Sequence, residues 1–191
     1  KMPFQISNLI LTRNEDKLYF LKNETGSLSH NSPRTIHVIH LESPEMTYKD
    51  LEIKLNSTKL LSGYDDRELF FCNNRESEIQ VGIDAINLTT KEVIKFAGQP
   101  KSHVGDGDTD GDVNRATFDE LHDIKLSPDG TKLYCACGNL RVVNLCGETI
   151  STIYKDTRYA IYPNVVDLIY TISPDSNIVI FRSRMATEPE V

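Results

Sequence analysis

The chain has 191 residues, of which 39% are apolar and 26% charged, with 28 acidic against 21 basic side chains and a formal net charge of −7. That length supports one sizeable core rather than two independent domains, and no apolar run is long enough to read as a transmembrane helix. The acidic balance, with no Lys/Arg cluster to oppose it, disfavours a nucleic-acid partner, whose phosphates the chain would repel at long range.

The opening Lys1-Met2-Pro3-Phe4 has no charged-then-apolar leader, and a start other than Met is expected of a processed piece. Residues 9–20 then read as two apolar strands around the polar turn Thr12-Arg13-Asn14-Glu15-Asp16. The same form returns at 60–71, at 124–135 and at 168–180. In the third copy the turn is Ser127-Pro128-Asp129-Gly130, and its chemistry has a mechanism. Proline presets φ at the first corner, aspartate hydrogen-bonds the backbone beyond it, and glycine accepts a positive φ. Two further strand-like runs follow each of the first three hairpins: 35–41 and 51–55, then 78–88 and 93–96, then 140–145 and 149–154.

The hairpins recur about 45 to 65 residues apart. Four short strands per unit, repeated with weak helical periodicity throughout, is the arithmetic of an all-β protein built as a β-propeller. A β-sandwich is the competing architecture, because it also uses many short strands. The expected units lie near 6–55, 58–98, 105–155 and 160–185. They form either a four-bladed ring, closed by pairing residues 1–6 onto the last blade, or part of a larger propeller completed by another polypeptide. In an open stack the terminal faces would carry Leu9, Leu11, Leu18 and Phe20 at one end and Leu168, Tyr170, Val179 and Phe181 at the other.

The third unit carries a resemblance to a known family. Phe96-Ala97-Gly98 precedes an Asp/Gly-rich stretch that runs into Arg115-Ala116-Thr117-Phe118. Then come the strand and turn from His122 to Gly130, Lys132-Leu133-Tyr134, and Gly138-Asn139. Over residues 96–154 this resembles an NHL repeat, which implies propeller blades and a partner-binding surface. The other units match in strand pattern alone. Where the family commonly has an aspartate after the Leu-Tyr strand, this chain has Cys135-Ala136-Cys137, which puts the usual polar contact between blades in question. One relative of the family, a peptidylglycine amidating lyase, holds zinc on channel histidines; the resemblance offers His122 as the single matching position here.

Several residues invite chemistry. Asp106, Asp108, Asp110 and Asp112 alternate around Gly111, as in short loops that wrap a hard cation in oxygen ligands, and calcium is the ion such a loop would take. The twelfth position from Asp106 is Thr117 rather than glutamate, which excludes an EF-hand; the alternative is a solvated loop between blades. Asp119, Glu120, His122 and Asp123 fall where the innermost strand of the third blade begins, near the mouth of a central channel, and are candidates for binding a metal or polar ligand. His37 and His40, three apart on a strand, point to opposite faces. Cys135 and Cys137 share a strand face, and Cys72 aligns with Cys135 in a core-packing role; a disulfide involving Cys146 is the rival reading.

Three sequons, at Asn23, Asn56 and Asn87, with the even cysteine count, point to glycosylation and to a secreted or cell-surface protein; the alternative is a cytoplasmic one. Hydrolase, zinc-protease, phosphate-loop and dinucleotide signatures do not occur. The expected function is therefore a non-enzymatic scaffold whose propeller loops bind a protein partner. The alternative is a metal-dependent lyase or hydrolase using the acidic channel mouth.

Overall fold

A computed structural model describes residues 5–12, 14–23, 34–45, 47–55, 62–63, 67–74, 81–100, 108–118, 121–137, 139–154, 164–175 and 179–185. The regular elements are all strands, arranged in four antiparallel sheets. No helix of the described residues is long and apolar enough to cross a membrane. Blade 1 is the meander β1 (Gln5–Leu11), β2 (Lys17–Asn23), β3 (Arg34–His40) and β4 (Tyr48–Leu55). Blade 2 is β5 (Ser62–Gly63), β6 (Glu68–Asn74), β7 (Val81–Asn87) and β8 (Val93–Ala97). Blade 3 comprises β9 (Gly111–Asp112), β10 (Asp123–Leu126), β11 (Lys132–Cys137), β12 (Asn139–Asn144) and β13 (Thr149–Tyr154), in the spatial order β10-β11-β12-β13-β9. Blade 4 is the pair β14 (Asn164–Ile172) and β15 (Val179–Met185).

Among the described residues, three of the hairpin turns are closed by a hydroxyl–carboxylate clasp. Thr12 Oγ1 donates to Asp16 Oδ1, Ser127 Oγ to Asp129 Oδ1 and Ser173 Oγ to Asp175 Oδ1. In blade 3, Asp129 also accepts from the Thr131 backbone N–H at 3.1 Å and from its hydroxyl at 2.9 Å, while Gly130 takes φ 74°. Side-chain bonds of this kind offer the chain a turn in place of a continued strand.

The second strands of blades 1 to 3 are buried on both faces, which explains their continuous apolar runs. Tyr19 and Leu21 of β2 pack with Ile36, Val38, Ile53 and Leu55 against Leu69, Phe71 and Ile86 of blade 2. Phe70, Cys72, Val81, Ile83 and Ala85 turn the other way, toward Leu133, Cys135, Cys137 and Val143 of blade 3. Tyr134, Ala136 and Leu140 face Ile169 of blade 4. The core is thus a series of apolar layers between stacked sheets, the construction of a β-propeller.

Four expectations need correction. Gly111 and Asp112, read as loop, add to β13 as a fifth strand. Gln5 and Ile6 pair with Asn23 and Lys22 of their own blade, not with the last one. Cys72 is not the counterpart of Cys135: the two belong to facing strands of one layer, because the register that puts Phe71 beside Cys135 in the repeat turns Cys72 over. At the terminal faces, Leu9 and Leu11 are exposed as anticipated, but Phe20 is only 2% exposed and Val179 packs inward against blade 3. The side chains of Leu168, Tyr170 and Phe181 lie outside the described residues. Among those described, blade 4 packs on β10, β11 and β12, and no extended packing joins it to blade 1.

Candidate functional site

One register position on the third strand of each complete blade carries a buried polar residue. His37 stands opposite Phe20, Asp84 opposite Phe71, and Arg141 opposite Cys135. These are equivalent places in the repeat, and all three side chains are buried. In blade 1, His37 Nε2 lies 2.8 Å from Thr35 Oγ1 and its ring stacks on Phe20 at 5.3 Å. His40, one turn of alternation away, is exposed, as their spacing requires. In blade 2, Asp84 accepts from the Asn73 side-chain amide.

In blade 3 the position organises the acidic segment. Arg141 Nη1 donates to Asp108 Oδ1 at 3.3 Å and to the Thr117 carbonyl at 2.7 Å. Nη2 donates to Asp110 Oδ1 at 3.0 Å and to the Thr109 carbonyl. The Phe118 ring lies 4.8 Å from the guanidinium carbon, within cation–π range. The guanidinium is fully buried and the Asp108 side chain nearly so, whereas Asp110 is half exposed. Asn139 donates to the other Asp108 oxygen at 2.8 Å, and Asp110 accepts from both the backbone and the hydroxyl of Thr152. Burial alone would raise the Asp110 pKa; the Thr152 bonds and Arg141 outweigh it and hold the carboxyl below its usual value.

The same segment is stitched to the sheets by its backbone. Gly98 N donates to Val113 O, Gln99 N to Ala116 O and Val113 N to Glu148 O, and Thr109 bridges Thr117. Gly98 has φ 94°, and a Cβ there would stand 2.9 Å from Phe118, from Gly82 Cα and from Val81 O. The Ala-Gly strand end is therefore required by the close approach of three segments. Asp112 Oδ1 accepts from the Asn114 backbone, which shapes the exposed corner carrying Asn114 and Arg115.

The anticipated residues distribute as follows. Asp108 and Asp110 converge on the guanidinium, Asp112 faces its own turn, and Asp106 lies outside the described residues. Asp119 and Glu120 lie outside them as well. His122 lies half-buried immediately before the inner strand, its backbone N–H donating to Ala136 O. Asp123 accepts from Ile169 N at 3.1 Å and so supplies a polar link between blades 3 and 4 that Cys135-Ala136-Cys137 cannot. Among the described residues no three His, Cys, Asp or Glu side chains converge as a metal site. No disulfide joins any of the four cysteines; Cys146 is exposed, and Cys72, Cys135 and Cys137 are buried together. Burial pushes the Cys135 and Cys137 thiols well above their ordinary range. Asn23 is buried at the end of β2, Asn87 caps the β7–β8 turn by accepting from Thr89 N and Thr90 N, and Asn56 is outside the described residues.

Arg141 was not anticipated, although a signal for it exists. Asp84-Ala85-Ile86-Asn87-Leu88 and Arg141-Val142-Val143-Asn144-Leu145 align on an Asn-Leu turn, each closed by a residue of positive φ, Lys91 and Glu148. Aligning the turns places both charges in the middle of a strand that is otherwise buried.

No family model matches this chain, and no curated protein matches it in sequence. Similarity is found among solved structures. TolB from Acinetobacter baumannii superposes with a TM-score of 0.61 at 11% identity, covering 93% of this chain and 37% of that one. The β-propeller domain of the Trilobed protease from Pyrococcus furiosus gives 0.49 at 9% identity over 98% of this chain and 56% of that one. The chain thus spans less than two thirds of the length of either. At these identities the likeness concerns the fold, and the fold is a β-propeller.

Proposed function

We propose that this chain is a non-enzymatic scaffold that binds a protein partner through the rigid end of its third blade. The observation that supports this is the anchoring of residues 108–118. Asp108 and Asp110 are engaged by Arg141, the backbone is bonded to two other segments, and Asp112, Asn114 and Arg115 remain exposed on top. A loop held this firmly loses little conformational freedom on docking, which favours affinity. The NHL-like pattern of residues 96–154 supports the same reading, and the proposal includes a larger propeller completed by another polypeptide.

The test is affinity capture from the native source, with mass spectrometry, using the wild-type chain and the Asn114→Ala/Arg115→Glu variant. One protein is expected to bind the first and not the second, with unchanged circular dichroism. A stoichiometric transition metal that is lost on His122→Ala together with a lyase or hydrolase activity would overturn the scaffold reading. Calcium titration by calorimetry in the same preparation addresses Asp106, Asp108, Asp110 and Asp112: an ion bound there must take Asp108 and Asp110 from Arg141, so Arg141→Met should alter any calcium affinity. Secretory exposure is proposed on the sequons. Glycan mapping of natural protein is expected to find Asn87 modified in its exposed turn and Asn23 unmodified in its buried strand; unmodified Asn23, Asn56 and Asn87 together would overturn it.

A further inference from the structure

The outermost strand of a blade has one edge that its own meander leaves unpaired, and blades 1 to 3 treat that edge differently. In blade 1 the edge strand β4 carries Lys49, Asp50, Glu52 and Lys54, and Glu52 takes φ 61°; charges and irregular backbone blunt an edge. In blade 3 the edge of β13 is covered by the chain itself, through β9. In blade 2 the edge strand is β8. Among the described residues no strand pairs with its outer side, and Val93 and Ile94 are exposed there.

Blades 2 and 3 correspond residue by residue at this place. Both outer strands follow a residue of positive φ, Lys91 and Glu148, and both slip register at the same point, just past Lys95 and just past Thr152. Val93 therefore stands where Ile150 does. In blade 3 the covering segment satisfies the edge in three places. Val113 N donates to Glu148 O at 2.9 Å, Gly111 pairs with Ile150, and Asp110 Oδ2 accepts from Thr152 N at 2.8 Å. Ile150 is 2% exposed under this cover, whereas Val93 is 42% exposed. Asn87 N donates to Glu92 O, so the alternation of an antiparallel pair turns the backbone N–H and C=O of Val93 away from β7 and outward. Chain length separates the two cases: residues 98–122 lie between β8 and β10, but only residues 56–61 between β4 and β5.

We propose that β8 takes its missing strand from a partner polypeptide, as an extended segment added antiparallel along Val93–Lys95. The blade 3 cover specifies the chemistry of that segment. An acidic residue stands in the place of Asp110 and meets Lys95, whose ammonium replaces the Thr152 hydroxyl. Three residues on, an apolar residue stands in the place of Val113, which is 3% exposed. The residue between them that faces Glu92 is uncharged, because like charges directly opposite are destabilising. This surface lies on a different blade from Asn114 and Arg115, so it goes beyond the scaffold reading and can fail separately from it.

The probe is an array of capped octapeptides with Asp-Gly-Thr-Val at the centre and varied flanks, beside a matching Lys-Gly-Thr-Val array, titrated against the full chain. Wild type is expected to bind the Asp set about tenfold more tightly than the Lys set, with slowed amide exchange at Val93. Val93→Pro removes an outward N–H that β7 does not use, a change edge strands tolerate. It should keep the circular dichroism spectrum and weaken the best peptide about tenfold. Lys95→Glu should abolish the preference for Asp over Lys, which decides the matter if the proline disturbs the fold. Asn114→Ala/Arg115→Glu should leave peptide binding unchanged. Equal or absent binding of the two sets, or binding that a folded Val93→Pro leaves intact, would overturn the proposal. Loss on Asn114→Ala/Arg115→Glu alone would overturn it too, by moving the peptide to blade 3.

Discussion

Replacing Arg141 by methionine keeps most of the side-chain volume and removes the charge at the centre of the acidic segment. The guanidinium has no solvent exposure, and it serves Asp108, Asp110 and two backbone carbonyls. Hydrogen bonds to charged groups are individually worth about 1.5–3 kcal/mol. They cannot simply be added, because burying the guanidinium costs much of that sum. What methionine leaves behind decides the magnitude: the buried Asp108 side chain loses its guanidinium partner, while Asn139 still donates to it. Breaking such a pair costs about 3–5 kcal/mol, a large part of a domain's stability. With a urea m-value of about 2 kcal/mol/M, the unfolding midpoint should fall by about 1.5–2.5 M. Adding Asp108→Asn should restore part of the loss, since a neutral amide is cheaper to bury. Arg141→Lys should fall between, keeping the charge without the fork that reaches four acceptors. Hydrogen exchange should rise first at residues 108–118. A cost for Arg141→Met below about 1 kcal/mol, or a double variant as destabilised as the sum of the two single ones, would refute the claim that this ion pair anchors the segment.

Three more outcomes are expected. In the native protein a water-soluble thiol reagent should label Cys146 and spare Cys72, Cys135 and Cys137, with all four reacting in denaturant; labelling of a second cysteine before unfolding would contradict the buried layer. Gly98→Ala should destabilise by about 2 kcal/mol or more in urea titration, because its Cβ meets Phe118 and backbone at 2.9 Å while φ stays positive; a neutral effect would mean the three segments separate freely. Asp129 is held down to a pKa of about 2 by the Ser127 hydroxyl and the Thr131 backbone and hydroxyl. Its folded value lies below the unfolded one of about 3.9, so its contribution is present above that range and disappears as pH falls toward about 2. The melting temperatures of wild type and Asp129→Asn should therefore converge between pH 4 and pH 2, and a constant gap across that range would refute the clasp.

Local chemistry that repeats is visible in a single sequence. Ser127-Pro128-Asp129-Gly130 and its weaker copies specify hairpins because the turn residues bond to their own backbone, and apolar runs such as Leu133-Tyr134-Cys135-Ala136 specify strands buried on both sides. From these the β-propeller followed. What a strand faces is a different matter. Slipping the repeat by one residue turns a side chain to the opposite layer, and so Cys72 and Cys135, read as equivalents, belong to facing strands of one layer. The acidic segment shows the same limit: alternating aspartates look alike whether they surround a bound ion or a side chain of the protein itself. Which cation they hold depends on Arg141, more than thirty residues away along the chain, and only the pairing of β11 with β12 and of β12 with β13 brings its guanidinium to Asp108 and Asp110. Burial of that charge is a property of the stacked blades, because the low dielectric that makes the ion pair strong exists only once the sheets have packed.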